Sequence, residues 1–136
     1  MSRSTTRKGE LEAEISQAVI RFEKEYMGRG PLETKTYILD DLVLVRLKGT
    51  LTPAEHKLAG SPDRKRGRDL IKQMRQELVE RGRPLLDDSI REILGVDVIS
   101  LHTDLSTKTG ERVLVFTLAE RPDLDRPRNP EKPPPA

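Results

Sequence analysis

The chain has 136 residues, of which 34% are hydrophobic, 3% aromatic and 35% charged, which suits one domain with a modest core of Leu, Ile and Val. Its 25 basic and 23 acidic residues leave a formal charge of +2, too small an excess to mark a polyanion binder by itself. With no cysteine and two histidines, disulfides, thiolate zinc sites, cysteine nucleophiles and histidine-rich metal clusters are excluded, and no apolar run approaches the roughly 20 residues that cross a bilayer.

Residues 1–9 are polar and basic and are expected to be a disordered N-terminus with no signal-peptide h-region behind it. Leu11, Ile15, Ala18, Val19, Phe22 and Tyr26 then recur at helical spacing, predicting an amphipathic first helix that Gly28-Arg29-Gly30-Pro31 stops. Two apolar runs, Thr36 to Leu39 and Leu42 to Leu47, flank Asp40-Asp41 and predict a tight hairpin. Thr52, Pro53 and Glu55 form a capping box with proline at the first helical position. That helix is short, because Gly60-Ser61-Pro62 interrupts it.

A second helix is expected from Arg64 to Arg81, with Leu70, Ile71, Met74, Leu78 and Val79 as its apolar side, broken or kinked at Gly82 and Pro84. Leu85, Leu86, Ile90, Ile93 and Leu94 continue on helical spacing to a C-cap at Gly95. Val96 to Leu101 and Arg112 to Leu118 read as a second strand pair connected near Thr109-Gly110. The fold class is therefore α+β: an N-terminal helix, a β-hairpin, two or three helices and a second β-hairpin, giving a four-stranded, mostly antiparallel sheet with helices on one face. Whether the two hairpins share a sheet within one chain or across a dimer is left open by the sequence. Residues 10–120 form this single domain. Residues 121–136 hold six of the ten prolines and are expected to be an extended, disordered tail.

Chemistry is sparse. His102 and Asp104 fall two apart near a strand end, where alternation puts them on one side as a candidate polar site. The adjacent carboxylates Asp40-Asp41 and Asp87-Asp88 point apart or start helices and make no two-metal site. Hence no catalytic residue, metal or cofactor is assigned. The Gly28-Arg29-Gly30-Pro31 corner allows close backbone approach, and Arg29 could meet an anion. Arg64, Lys65, Arg66 and Arg68 form the one basic patch, which could touch phosphates or lipid headgroups.

Tyr26-Met27-Gly28-Arg29-Gly30-Pro31, Lys35-Thr36-Tyr37, Leu39-Asp40-Asp41-Leu42 and Leu51-Thr52-Pro53-Ala54-Glu55 together resemble the MpsC-like family. The similarity covers roughly Glu10 to Glu120 and is looser in the last hairpin. The resemblance implies a soluble accessory or regulatory protein of a sodium-translocating, membrane-potential-generating system tied to cation-coupled uptake of bicarbonate. It also implies a partner or anion surface at Arg29, Gly30, Pro31, Tyr37 and Asp41. The expected partners are a second copy of the chain and a membrane transporter subunit, with the protein cytoplasmic and peripheral at the inner face of the membrane. Two alternatives compete: a nucleic-acid-binding module using Arg64 to Arg68, and an enzyme or sensor for a small anion at which Arg29, His102 and Asp104 would have to converge.

Overall fold

The computed structural model describes residues 3–125, with side chains from Arg7 onward. Helix α1 (Arg3–Met27) is followed by strands β1 (Glu33–Leu39) and β2 (Leu42–Lys48), helices α2 (Pro53–Ala59) and α3 (Arg64–Leu94), and strands β3 (Val98–Leu105) and β4 (Arg112–Leu118). All four strands form one antiparallel sheet in the order β1-β2-β4-β3. Both hairpins thus belong to one sheet in a single chain, joined where β2 pairs with β4.

The predicted stripe of α1 is buried at Leu11, Ile15, Ala18, Val19 and Phe22. It meets Val43, Val45 and Leu47 of β2 and Leu114, Phe116 and Leu118 of β4 in the main core. Burial of each such side chain is worth about 1.5–3 kcal/mol, so the alternating inner residues of the two central strands supply much of the stability. A second cluster of Leu51, Ile71 and Leu105 sits near the β2–α2 connection.

Three features differ from the sequence expectation. Helix α1 begins at Arg3 rather than after Gly9; nothing in Thr5 to Lys8 breaks a helix, and Arg7 pairs with Glu10 one turn on, at 3.4 Å. Helix α3 runs unbroken through Gly82 and Pro84. Pro84 lies on its exposed side, as does Glu80, whose carbonyl loses its partner N–H and meets water instead. Finally, the predicted apolar side of α3 divides. Ile71 and Val79 are buried, whereas Leu70 and Met74 are each 45% exposed, because Arg75 rather than Met74 faces inward.

At the chain's far end, Leu124 packs against the main core, and residues 126–136, which carry most of the expected proline tail, lie outside the described residues.

Candidate functional site

Four buried charges connect the elements. Glu23 (α1), Glu55 (α2), Arg75 (α3) and Arg112 (β4) are each at most 2% exposed. Arg75 donates to both carboxylate oxygens of Glu55, through Nε at 2.8 Å and Nη2 at 2.6 Å, and Nη2 also donates to the Thr50 carbonyl at 2.6 Å. Arg112 Nη1 donates to Glu23 at 2.9 Å, and the other Glu23 oxygen lies 3.6 Å from Arg75. Two carboxylates and two guanidiniums leave the group neutral, the condition under which buried charge is tolerable.

The network grows out of the predicted capping box. Glu55 N–H donates to Thr52 Oγ1 and Thr52 N–H donates to Glu55 Oε1, so one carboxylate caps α2 and anchors α3. Burial opposes the charge on Glu55, but hydrogen bonds from Arg75 and the Thr52 N–H outweigh it and hold the carboxyl below its ordinary 4.5. Glu23 goes the other way: burial raises it above 4.5, only partly offset by Arg112 and Arg75. Burial likewise lowers Arg112, with Glu23 opposing. This arrangement can hold helices to sheet; its donors and acceptors are spent largely on one another, with Arg75 Nη1 left without a hydrogen-bond partner.

Sequence reading missed the network as a unit, although each member carries a signal. Arg112 keeps step with Leu114, Phe116 and Leu118 at period two, Arg75 with Ile71 and Val79 at four, and Glu23 with Val19 at four. A charge in phase with a buried apolar stripe must find a partner.

The Gly28 to Pro31 corner is built as a helix stop. Gly28 adopts φ 82°, and its N–H caps the Lys24 carbonyl at 3.1 Å. The Arg29 guanidinium donates to the carbonyls of Leu51 at 3.2 Å and Gly49 at 3.4 Å, tying the corner to the β2–α2 loop. A Cβ on Gly30 would press on Lys24 at 3.2 Å, and Pro31 is half-buried beside it. Asp41 is exposed in the hairpin turn, where its carbonyl accepts from Leu118 N–H at 2.8 Å; Asp40 takes the strained position at φ 56°.

Tyr37, His102 and Asp104 stand elsewhere, on the sheet face away from the core. Strand registers line up Tyr37, Leu44, Val115 and His102 in one cross-strand row, and Lys35, Arg46, Val113 and Asp104 in the next. Three strand spacings put Tyr37 about 14 Å from His102. Lys72 donates to the Asp104 carboxylate at 3.0 Å and, with the Leu105 N–H, lowers it from its ordinary value. Asp104 is therefore occupied with a lysine rather than orienting an imidazole. Among the described residues no contact joins Arg29, His102 and Asp104. The basic residues Arg64, Lys65, Arg66 and Arg68 are exposed in the first turns of α3, with Lys65 paired to Asp69 at 3.2 Å.

Among the described residues no cluster of three or more metal-ligating side chains forms, and no helix is long and apolar enough to cross a membrane. No solved structure matches the chain. Two proteins of Bacillus subtilis (strain 168) are similar. Uncharacterized protein YbcI is 51% identical over 119 residues, 88% of this chain and 92% of the relative. Uncharacterized protein YrhF is 24% identical over 114 residues, 81% of this chain and 88% of the relative. The profile described as "Na+-translocating membrane potential-generating system (MpsC)" matches residues 7–120, so that helix α1 from Arg7, both hairpins and the capping-box helices all fall within it. By that match the chain belongs to the MpsC family.

Proposed function

We propose that this chain is a non-catalytic accessory subunit of the Na+-translocating system its family describes, that it acts as a homodimer, and that the open face of its sheet is where two copies meet. The observation that carries the reading is the composition of β2 and β4. An antiparallel sheet with helices on one side ordinarily turns polar residues outward on the other. Here Leu42 and Leu44 on β2 and Val113 and Val115 on β4 point away from the core and remain half-exposed, with Leu39 beside them at 50% exposure. Strands apolar on both faces belong to a sheet covered on both faces.

A two-fold axis lying between the stacked sheets and parallel to their strands gives a self-complementary contact. It sets Lys35 and Arg46 of one copy over Asp104 and Val113 of the other, and the two Leu44–Val115 centres over each other. The face spans roughly 19 Å across four strands and 20 Å along them, about 380 Å² in projection, so the loops that rim the sheet must add to the contact for it to reach the about 800 Å² per partner of a standard interface. A buried network whose two carboxylates are both taken up by guanidiniums supports a scaffold rather than a reaction. The remaining surface is left for a membrane subunit of the system, with the protein at the inner face of the membrane; cation-coupled bicarbonate uptake is the process such a subunit would serve.

The test is recovery of the tagged protein from detergent-solubilised membranes of its own cells, with light-scattering mass measurement of the purified chain. The expected outcome is a dimer in solution and co-recovery of the Na+-translocating membrane subunit, with Leu44→Lys/Val115→Lys giving a monomer of unchanged circular dichroism. A wild-type chain that is monomeric at micromolar concentration, or one that recovers no membrane subunit, overturns the corresponding half of the reading.

A further inference from the structure

The corner between α2, the start of α3 and the β3–β4 turn forms an open cleft of about 550 Å³. His56, Arg64, Arg68 and Lys108 line it together with Thr107 and the backbone at Gly60. Three separate elements thus turn basic side chains toward one space, and no carboxylate lines it. Among the described residues the side chains of His56, Arg64 and Lys108 make no ion pair or hydrogen bond, and Arg68 has only its neighbour Asp69, at 3.8 Å. Asp63 is turned to the Arg66 N–H at 3.1 Å.

This gathering of like charge is held in place. A Cβ on Gly67 would lie 2.0 Å from the Leu58 carbonyl, so α2 and α3 approach as closely as a glycine allows. The turn that carries Lys108 is closed by Gly110 N–H to Ser106 carbonyl at 2.7 Å and Thr109 N–H to Ser106 Oγ at 3.2 Å. Thr50 then pins it to the β2–α2 loop through Gly110, at 2.8 Å. Cations in the first turn of α3 also oppose its dipole. Like charges gathered together with Asp69 as their one adjoining carboxylate destabilise a fold unless an anion supplies further counter-charge.

We propose that this corner is a binding site for a phosphate group. Arg64 and Arg68 are four residues apart, hence on one face of α3, and two guanidinium forks match the oxygens of a phosphate. Lys108 adds a point charge from the facing turn, and Thr107 and His56 add hydrogen-bonding groups. The phosphate can be presented by a lipid headgroup or by a soluble molecule; the chemistry of the site is shared. The inference does not rest on the dimer or on the transport role.

The experiment uses the full chain. Its binding is measured to phosphatidylcholine vesicles with and without phosphatidylglycerol, to inorganic pyrophosphate by calorimetry, and to a single-stranded oligonucleotide. The expected result is binding to the phosphatidylglycerol vesicles, to pyrophosphate or to both, weakened about 30-fold in Arg64→Ala/Lys108→Ala and unchanged in Lys24→Ala, a cation removed from α1. Vesicle binding alone identifies a headgroup site, and pyrophosphate binding alone a soluble ligand; each supports the proposal. Three results overturn it: no binding to either probe, equal loss in both variants, or binding of the oligonucleotide alone, which would make the corner a nucleic-acid surface. All three substitutions fall on exposed residues, so cooperative thermal melting confirms that the variants fold.

Discussion

The buried charges set the balance at the residue scale. Removing one member of such a network leaves its partner ionised without compensation, which typically costs 3–5 kcal/mol. Arg75 touches both carboxylates and the Thr50 carbonyl, so Arg75→Met is expected to cost that much in denaturant unfolding. An exposed cation such as Arg91, 59% exposed and paired with Asp88 at 2.9 Å, is expected to cost under about 1 kcal/mol on replacement. The two glutamates give stability opposite pH slopes. Glu55 sits below its ordinary 4.5 in the folded state, so its contribution is present above pH 4.5 and is lost as pH falls through the folded value. Glu23 sits above 4.5, so its contribution is fullest below 4.5 and declines as pH rises from there through the folded value. Urea unfolding across this range is therefore expected to show a shallower decline above pH 4.5 in Glu23→Gln than in wild type, although that variant is less stable at neutral pH. In Glu55→Gln the acid-side loss is the one that shrinks. Parallel curves for wild type and both variants would show that neither carboxyl shifts on folding.

Helix α3 shows at the scale of an element how two neighbouring helix breakers act differently. Gly82 is buried, and a Cβ there would lie 2.3 Å from Phe22 Cε1 and 3.0 Å from Tyr26 Cζ. These two rings are stacked with centroids 4.5 Å apart. Gly82 thus leaves room on α3 for the two aromatic rings of α1. Gly82→Ala is expected to lose about 1–3 kcal/mol by overpacking, despite the roughly 1 kcal/mol of helix propensity that alanine brings. Pro84 stands in water on the other side of the same helix. Pro84→Ala gives the Glu80 carbonyl its missing donor and is expected to stabilise by about 1–3 kcal/mol. Thermal melts of the two variants should move in opposite directions. The sequence made the elements of this fold legible because their periodicities are strong: the α1 stripe, the capping box and the first hairpin lie where spacing puts them, and in the second hairpin β4 does so while β3 runs from Val98 to Leu105 rather than from Val96 to Leu101. It did not show which break is a real one, because the effect of Gly82 and Pro84 depends on which side of α3 each occupies. That side is fixed by Arg75, whose partners Glu23 and Glu55 come from other elements. The candidate sites were legible to a similar degree. Arg64 and Arg68 could be read as a run of cations, but His56 and Lys108 join them only through the packing of three elements.

At the scale of the whole molecule, the open sheet face makes the dimer geometry testable. The outer edge of β1 is partly guarded, since Ile38 N–H donates to Glu12 at 2.8 Å and Thr36 shares a hydrogen bond with Ser16 at 2.7 Å, so strand addition there would have to displace α1. Stacking through the face needs no such displacement. With the axis parallel to the strands, β1 of one copy lies over β3 of the other and Tyr37 faces His102 of its partner. With the axis in the same plane but across the strands, Tyr37 would face Tyr37. The natural chain has no cysteine, so single thiols report on this without background. Stacked sheets lie about 10 Å apart, too far for a disulfide but within reach of a short bismaleimide. Tyr37→Cys and His102→Cys proteins, each treated alone, are expected to give little crosslinked dimer. The two mixed, allowed to exchange subunits and then treated, are expected to give it in high yield on denaturing gels. A strong crosslink from Tyr37→Cys alone would rotate the axis by a right angle and remove the placement of Lys35 over Asp104. Absence of crosslink in every combination, from a protein shown to be dimeric, would move the interface off the sheet to another exposed apolar surface, of which Leu70 and Met74 on α3 are the next in line.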